Sequence, residues 1–282
     1  MPTIRKSTTS TDSLDKVTDT LIRQEVVDGL LLVGSASKDE LTSASDYDLI
    51  IVLSEMPEPL HVGTTYIDRR FTDLVFFTTD HVDQFLMATE PFGFWDWVGR
   101  FIGFCEAGKI LFDRHGRLDR AQTKAQSGEW IEPDGAHEAY QAWNRVNYNL
   151  QVVRRYLTSD DPLYLQTADI KMMLYGPQDL FFSYFTIRQW RWEGEKAAVR
   201  YLQDQDPGYL ARFNRFLSEQ DRNEKYRLYE ELAALTVAPV GRLINKGESA
   251  MIVDGDPATP DREAKALDFW EDLVAEPTCP KS

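Results

Sequence analysis

Cysteine is nearly absent: Cys105 and Cys279 are the only two in 282 residues, and histidine occurs four times. Two distant thiols build no disulfide framework. His61, His81, His115 and His137 lack the spacing of a zinc site or of a nucleophile–histidine–acid triad. Long apolar runs are missing too. "LLLV" and "LIIVL" fall far short of the roughly 20 residues that span a bilayer. The opening "MPTIRKSTTSTDSLDKVTD" has no apolar core of signal-peptide type. These absences predict a cytoplasmic chain with no membrane span. Positive charge is in deficit, with Lys plus Arg at 31 against 46 for Asp plus Glu, a net charge of −15. Such a surface repels a phosphodiester backbone, disfavours nucleic acid as a partner and suits a cationic one, although acidity also serves plain solubility. Neither a Walker-type Gly-x(4)-Gly-Lys loop nor a Rossmann glycine fingerprint occurs, so a nucleotide is not held in those ways.

Apolar residues make up 43% and aromatics 12% of the chain, enough for a substantial core, and the length fits one large domain or two ordinary ones. Residues 1–12 are Ser/Thr-rich and read as a flexible tail. Leu14 to Val27 reads as a helix capped by Ser13, and "GLLLVG", "YDLIIVL", "TTYIDRRF" and "TDLVFFTT" read as strands. Asp80 is placed to cap a helix from His81 to about Ala88. A further helix through "FWDWVGRFIGFCEAG" ends near Gly108, before an edge strand "KILFD". Interleaved strands and helices predict an α/β domain over 13–121. "QTKAQSGEWIEPDGA", residues 122–136, is polar and turn-rich and reads as a linker. Beyond it apolar residues recur every three or four positions, predicting an all-α helical bundle over 137–274, with Pro162, Pro177, Pro207 and Pro239 separating its helices and a tail at 275–282. The fold class expected is therefore α+β/α: a mixed sheet flanked by helices, then a helical bundle.

"LLLVGSASKDELTSASDYDLIIVL" carries the chemistry. Strand side chains alternate, so Asp46 and Asp48 point to one face and Tyr47 to the other. The run after them does not alternate, as expected of a strand buried on both faces. Carboxylates at such an edge are costly unless paired or bound to a cation. Gly34 ends the preceding strand and permits a tight turn. Ser35 offers a hydroxyl and an amide to a phosphate, and Ser45 offers another hydroxyl beside Asp46. A third carboxylate is available at Asp73, which leads "DLVFF" as Asp48 leads "LIIVL". Asp68 is its rival. Mg²⁺ is a hard ion that prefers oxygen ligands, and two such ions held by i, i+2 and cross-strand carboxylates clamp the two oxygens of an in-line displacement at phosphorus.

The order apolar strand, Gly-Ser, spacer, then Asp-x-Asp on the next strand resembles the nucleotidyltransferase superfamily that includes DNA polymerase β. The spacer, with Ser before the first Asp, looks most like the bacterial aminoglycoside adenylyltransferases. The resemblance implies an α/β nucleotidyltransferase domain followed by a helical bundle. It implies Mg²⁺, two ions, and ATP as substrate, with AMP moved to a hydroxyl of a small acceptor such as a cationic aminoglycoside. By the same resemblance Gly34, Ser35 and Ser45 meet the nucleotide, and Asp46, Asp48 and Asp73 hold metal and carry catalysis. "SYFTIRQWRWEGEKAAVRYL" is similar to the bundle segment that aims an Arg and a Lys at the triphosphate, which implies Arg188 and Lys196, with Lys171 as a competitor. Histidine-dependent ribonuclease chemistry in the bundle is excluded, because no His follows His137. For a base, Asp73 competes with Glu90, Asp96 and Asp169, which read more simply as surface or capping carboxylates. "FGFWDWVGRFIGF", Trp190 and Trp192 read as core packing rather than as a stacking platform.

Overall fold

Ser13 accepts the amide of Lys16 and starts α1, Leu14–Ile22. The helix stops short of Val27 because β-branched Val27 enters the sheet as the first residue of β1, Val27–Val33, where every residue is buried. β2, Tyr47–Leu53, pairs antiparallel with β1, and β3, Val62–Ile67, forms a hairpin with β4, Arg70–Thr78. α2, Thr79–Met87, follows β4, and α3, Trp97–Ala107, follows the short strand β5, Phe92–Gly93. β6, Lys109–Asp113, α4, Arg117–Gln126, and β7, Ile131–Glu132, complete this part. The order β3-β4-β2-β1-β6 makes a mixed five-stranded sheet, in which β2 and β4 are parallel and the other neighbours antiparallel. Our source is a computed structural model that describes residues 5–38, 40–93, 95–132, 135–253 and 261–274.

Helices cover both faces of the sheet. Leu31, Val33, Ile50, Val52 and Phe77 pack against Val82 and Phe85 of α2, Phe101 and Ile102 of α3, and Leu118 of α4. Leu30, Leu49 and Ile51 pack on the other face with Leu21 and Ile22 of α1. β2 lacks alternation for this reason: both sets of its side chains leave water.

The chain forms two compact units, Met1–Glu132 and Pro133–Ser282. Every regular element among the described residues of the second unit is a helix: α5, Ala136–Tyr156, α6, Pro162–Ile187, α7, Glu195–Gln205, α8, Pro207–Ser218, α9, Arg222–Val237, and α10, Arg262–Val274. One apolar core built on Val146, Leu150, Met172, Leu180, Tyr209, Phe216 and Leu232 joins α5 to α9.

Several local expectations need correction. Residues 7–12 of the expected tail bind the β3–β4 hairpin: Thr9 Oγ1 donates to the Tyr66 carbonyl at 2.8 Å, and Asp68 N donates to the Asp12 carbonyl at 2.8 Å. Residues 1–4 and the 275–282 tail lie outside the described residues. The 122–136 segment begins inside α4, whose Ala121 and Ala125 are buried under the sheet, and its Ile131 pairs with Phe92; residues 133–134 lie outside the described residues. The α2 cap is Thr78 rather than Asp80, with His81 Nδ1 accepting the Thr78 amide at 3.0 Å. Pro177 does not break its helix. Gly176 before it has no Cβ for the proline ring to strike, and it lies where an added Cβ would sit 3.3 Å from Phe216 and 3.5 Å from Tyr229. Close packing of α6 on α8 and α9 offsets the one lost backbone bond.

Candidate metal centre

The parallel register of β2 and β4 puts Asp48 directly opposite Asp73, and the antiparallel register of β1 and β2 puts Val33, next to Gly34, opposite Asp48. Asp46 stands one residue before β2. Carboxylate oxygens of Asp46, Asp48 and Asp73 all lie within 4.8 Å of one another, and all three residues are half-buried. No other His/Cys/Asp/Glu group of this kind occurs among the described residues. Burial, then the charge of Asp46, push the Asp73 carboxyl above its ordinary range. Anions crowded this way repel one another, and a shared cation relieves that cost.

Gly34 is part of the same construction. Its φ is +70°, and a Cβ there would sit 2.5 Å from Asp48 Oδ2. Only glycine fits both the backbone and the carboxylate in front of it. A tight 3-10 turn, Gly34–Lys38, follows and carries Ser35 half-buried at its second position. The residues present fit a hard divalent cation: the donors are carboxylate oxygens, they converge, and the neighbouring backbone gives up a side chain to let one approach.

Other predicted site residues sit differently. The Ser45 hydroxyl is engaged in its own loop, accepting the Thr42 amide at 3.0 Å and lying 3.1 Å from Thr42 Oγ1. Arg188 is the C-cap of α6. It donates to the Tyr184, Thr236 and Leu235 carbonyls at 3.1, 3.3 and 3.2 Å, and its guanidinium lies 3.7 Å over the Tyr184 ring. Lys196 is exposed on the first turn of α7. Lys171 donates to Asn149 Oδ1 at 2.9 Å within a network that continues to the buried Asp179. Asp68 lies in the β3–β4 turn with φ +53°. Among the other acids, Asp169 is held bidentate by Arg222 at 2.8 and 2.7 Å, Asp96 accepts the Gly93 amide at 3.1 Å, and Glu90 is exposed. Trp190 and Trp192 pack into an aromatic cluster with Phe185.

Sequence reasoning missed Arg70. Its guanidinium donates to the Thr42 carbonyl at 2.7 Å and to the Ser45 carbonyl at 2.9 Å, clasping the loop that delivers Asp46. The only signal was a basic pair after Asp68 in "IDRRF", which also fits an ordinary exposed turn.

No protein-family model matches this chain, and no curated protein matches it. Among solved structures it is similar to a nucleotidyltransferase-like protein from Exiguobacterium sibiricum, at 12% identity and a TM-score of 0.39, over 78% of this chain and 71% of that one. No membrane-spanning helix occurs among the described residues.

Proposed function

We propose that this protein is a Mg²⁺-dependent nucleotidyltransferase that moves a nucleoside monophosphate, AMP from ATP, to a hydroxyl of a small acceptor and releases pyrophosphate. The observation that carries the reading is the convergence of Asp46, Asp48 and Asp73 near the N-terminal ends of the two parallel inner strands β2 and β4, beside a glycine turn. The first unit is read as the nucleotidyltransferase domain and the second as a helical bundle. When bound, the ions neutralise phosphate oxygens and lower the pKa of the attacking hydroxyl. Asp46 and Asp48 orient that charge from one strand edge, and Asp73 completes the ligand set or takes the acceptor proton, a role suited to a carboxyl raised above its usual range. The new O–P bond forms at the α-phosphorus as the bond to pyrophosphate breaks. Ser35 and the turn at Gly34 are read as the grip on the phosphate tail. The net charge of −15 supports a cationic acceptor, with an aminoglycoside as the leading class.

The test is pyrophosphate release from ATP and Mg²⁺ over a panel of aminoglycosides and neutral polyols. Asp46→Asn and Asp48→Asn are expected to reduce release to background while circular dichroism stays native. Full release in either variant refutes the assignment. One observation favours a second reading, a nucleotide-binding regulator without transfer: Arg188, expected on the triphosphate, donates to the Tyr184 carbonyl of α6 and the Thr236 carbonyl of α9. ATP binding by calorimetry without release across the panel selects that reading.

A further inference from the structure

We infer that Arg70 is a positioning residue for the candidate metal centre, acting through the backbone that carries Asp46; the inference rests on the metal-binding reading above. Alternation along β4 places Arg70 and Thr72 on the sheet face opposite Asp73. From that face the guanidinium lies over the Tyr47 ring, 5.8 Å from its centroid, and one nitrogen donates to both the Thr42 and Ser45 carbonyls. The Ser45 carbonyl belongs to the peptide plane that also contains the Asp46 nitrogen, and peptide planes are rigid. Holding that oxygen therefore sets the direction in which Asp46 leaves the loop. Asp48 and Asp73 need no such help, because the parallel ladder pairs them. Asp46 alone stands outside the strands, and Arg70 ties its loop to the strand that bears Asp73.

Both ends of the strut are fixed. At one end, Asp68 and Arg69 form the two-residue turn between Ile67 and Arg70 with φ of +53° and +60°, a conformation usually left to Gly and Asn. Residues of the N-terminal segment hold it: Asp68 N donates to the Asp12 carbonyl at 2.8 Å and Arg69 N to the Ser10 carbonyl at 2.7 Å. At the other end, Ser45 N returns to the Thr42 carbonyl at 3.2 Å, and Ala44 N donates to Thr42 Oγ1 at 3.2 Å. Groups that orient a metal ligand typically change affinity by about 10–100-fold when removed.

The experiment titrates full-length protein with Mn²⁺ by calorimetry. Arg70→Met keeps a long unbranched side chain and removes both hydrogen bonds. It is expected to weaken Mn²⁺ binding by about tenfold or more, and Arg70→Lys, which restores a donor, is expected to recover part of the loss. A merely structural role would lower the unfolding midpoint and leave the affinity of folded protein unchanged. Wild-type affinity in folded Arg70→Met overturns the inference while leaving the metal centre standing. Failure of the wild-type chain to bind Mn²⁺ overturns the centre and the Arg70 role together. Hydrogen exchange on wild-type protein covers the case in which the variant does not fold: the amides at 42–46 are expected to be protected without metal. Exchange at the unprotected rate there overturns the strut.

Discussion

Gly34 concentrates the demands of the site on one residue. Its left-handed backbone costs a residue with a side chain about 1–2 kcal/mol, and the methyl of alanine would fall 2.5 Å from Asp48 Oδ2. Gly34→Ala is expected to lose about that much stability and, separately, to displace the Asp48 carboxylate. Denaturant midpoints should fall modestly while Mn²⁺ affinity falls at least about tenfold, as for other disturbed ligand shells. Unchanged affinity would show that Asp48 is not held in place by the absence of a Cβ. The pair Asp46 and Asp48 was legible because strand alternation is a local rule, and Asp73 because its strand repeats the motif of acid followed by apolar run. Arg70 was not legible. Its partners are two backbone carbonyls far away in sequence, and carbonyls leave no side-chain signature.

Elements were legible where the signal was periodic and less so where packing chose between local options. The doubly buried β2 followed from its unalternating run. The parallel pairing of β2 with β4, which brings Asp73 across from Asp48, did not, because register depends on what connects and covers the strands. α6 passes through Pro177 because a glycine precedes it and two helices pack against it. The start of α2 went to Thr78 because His81 reaches back to its amide. That contact makes a pH prediction. Burial lowers the His81 pKa most, His61 adds to the lowering, and Asp80 opposes it. A lowered histidine pKa means the unfolded chain takes the proton first. The stability of neutral His81 is therefore present above the ordinary histidine range and lost as pH falls through it. Protonated Nδ1 also ceases to accept the Thr78 amide. Between pH 8 and pH 5.5 the wild-type midpoint should drop relative to His81→Asn, which keeps an acceptor and does not titrate. The size expected is that of a helix cap, about 0.5–2 kcal/mol. Parallel pH dependence in both proteins would remove His81 as the cause.

At the scale of the molecule, the two units carry separate cores. Every buried residue of the three clusters around the sheet precedes residue 132, and every one around α5 to α9 follows residue 141. Units with cores of their own are not obliged to unfold in one cooperative step. The carboxylate triad belongs wholly to the first unit. A ligand that binds only folded protein stabilises the unit that holds it by mass action, by about 2.7 kcal/mol at a hundredfold excess over Kd. Scanning calorimetry of the full chain in chelator should therefore resolve two transitions. Adding Mn²⁺ should raise one and leave the other in place, and Asp46→Asn should abolish the shift without merging the transitions. A single transition that moves as a whole would show that the units unfold together, with the metal stabilising both.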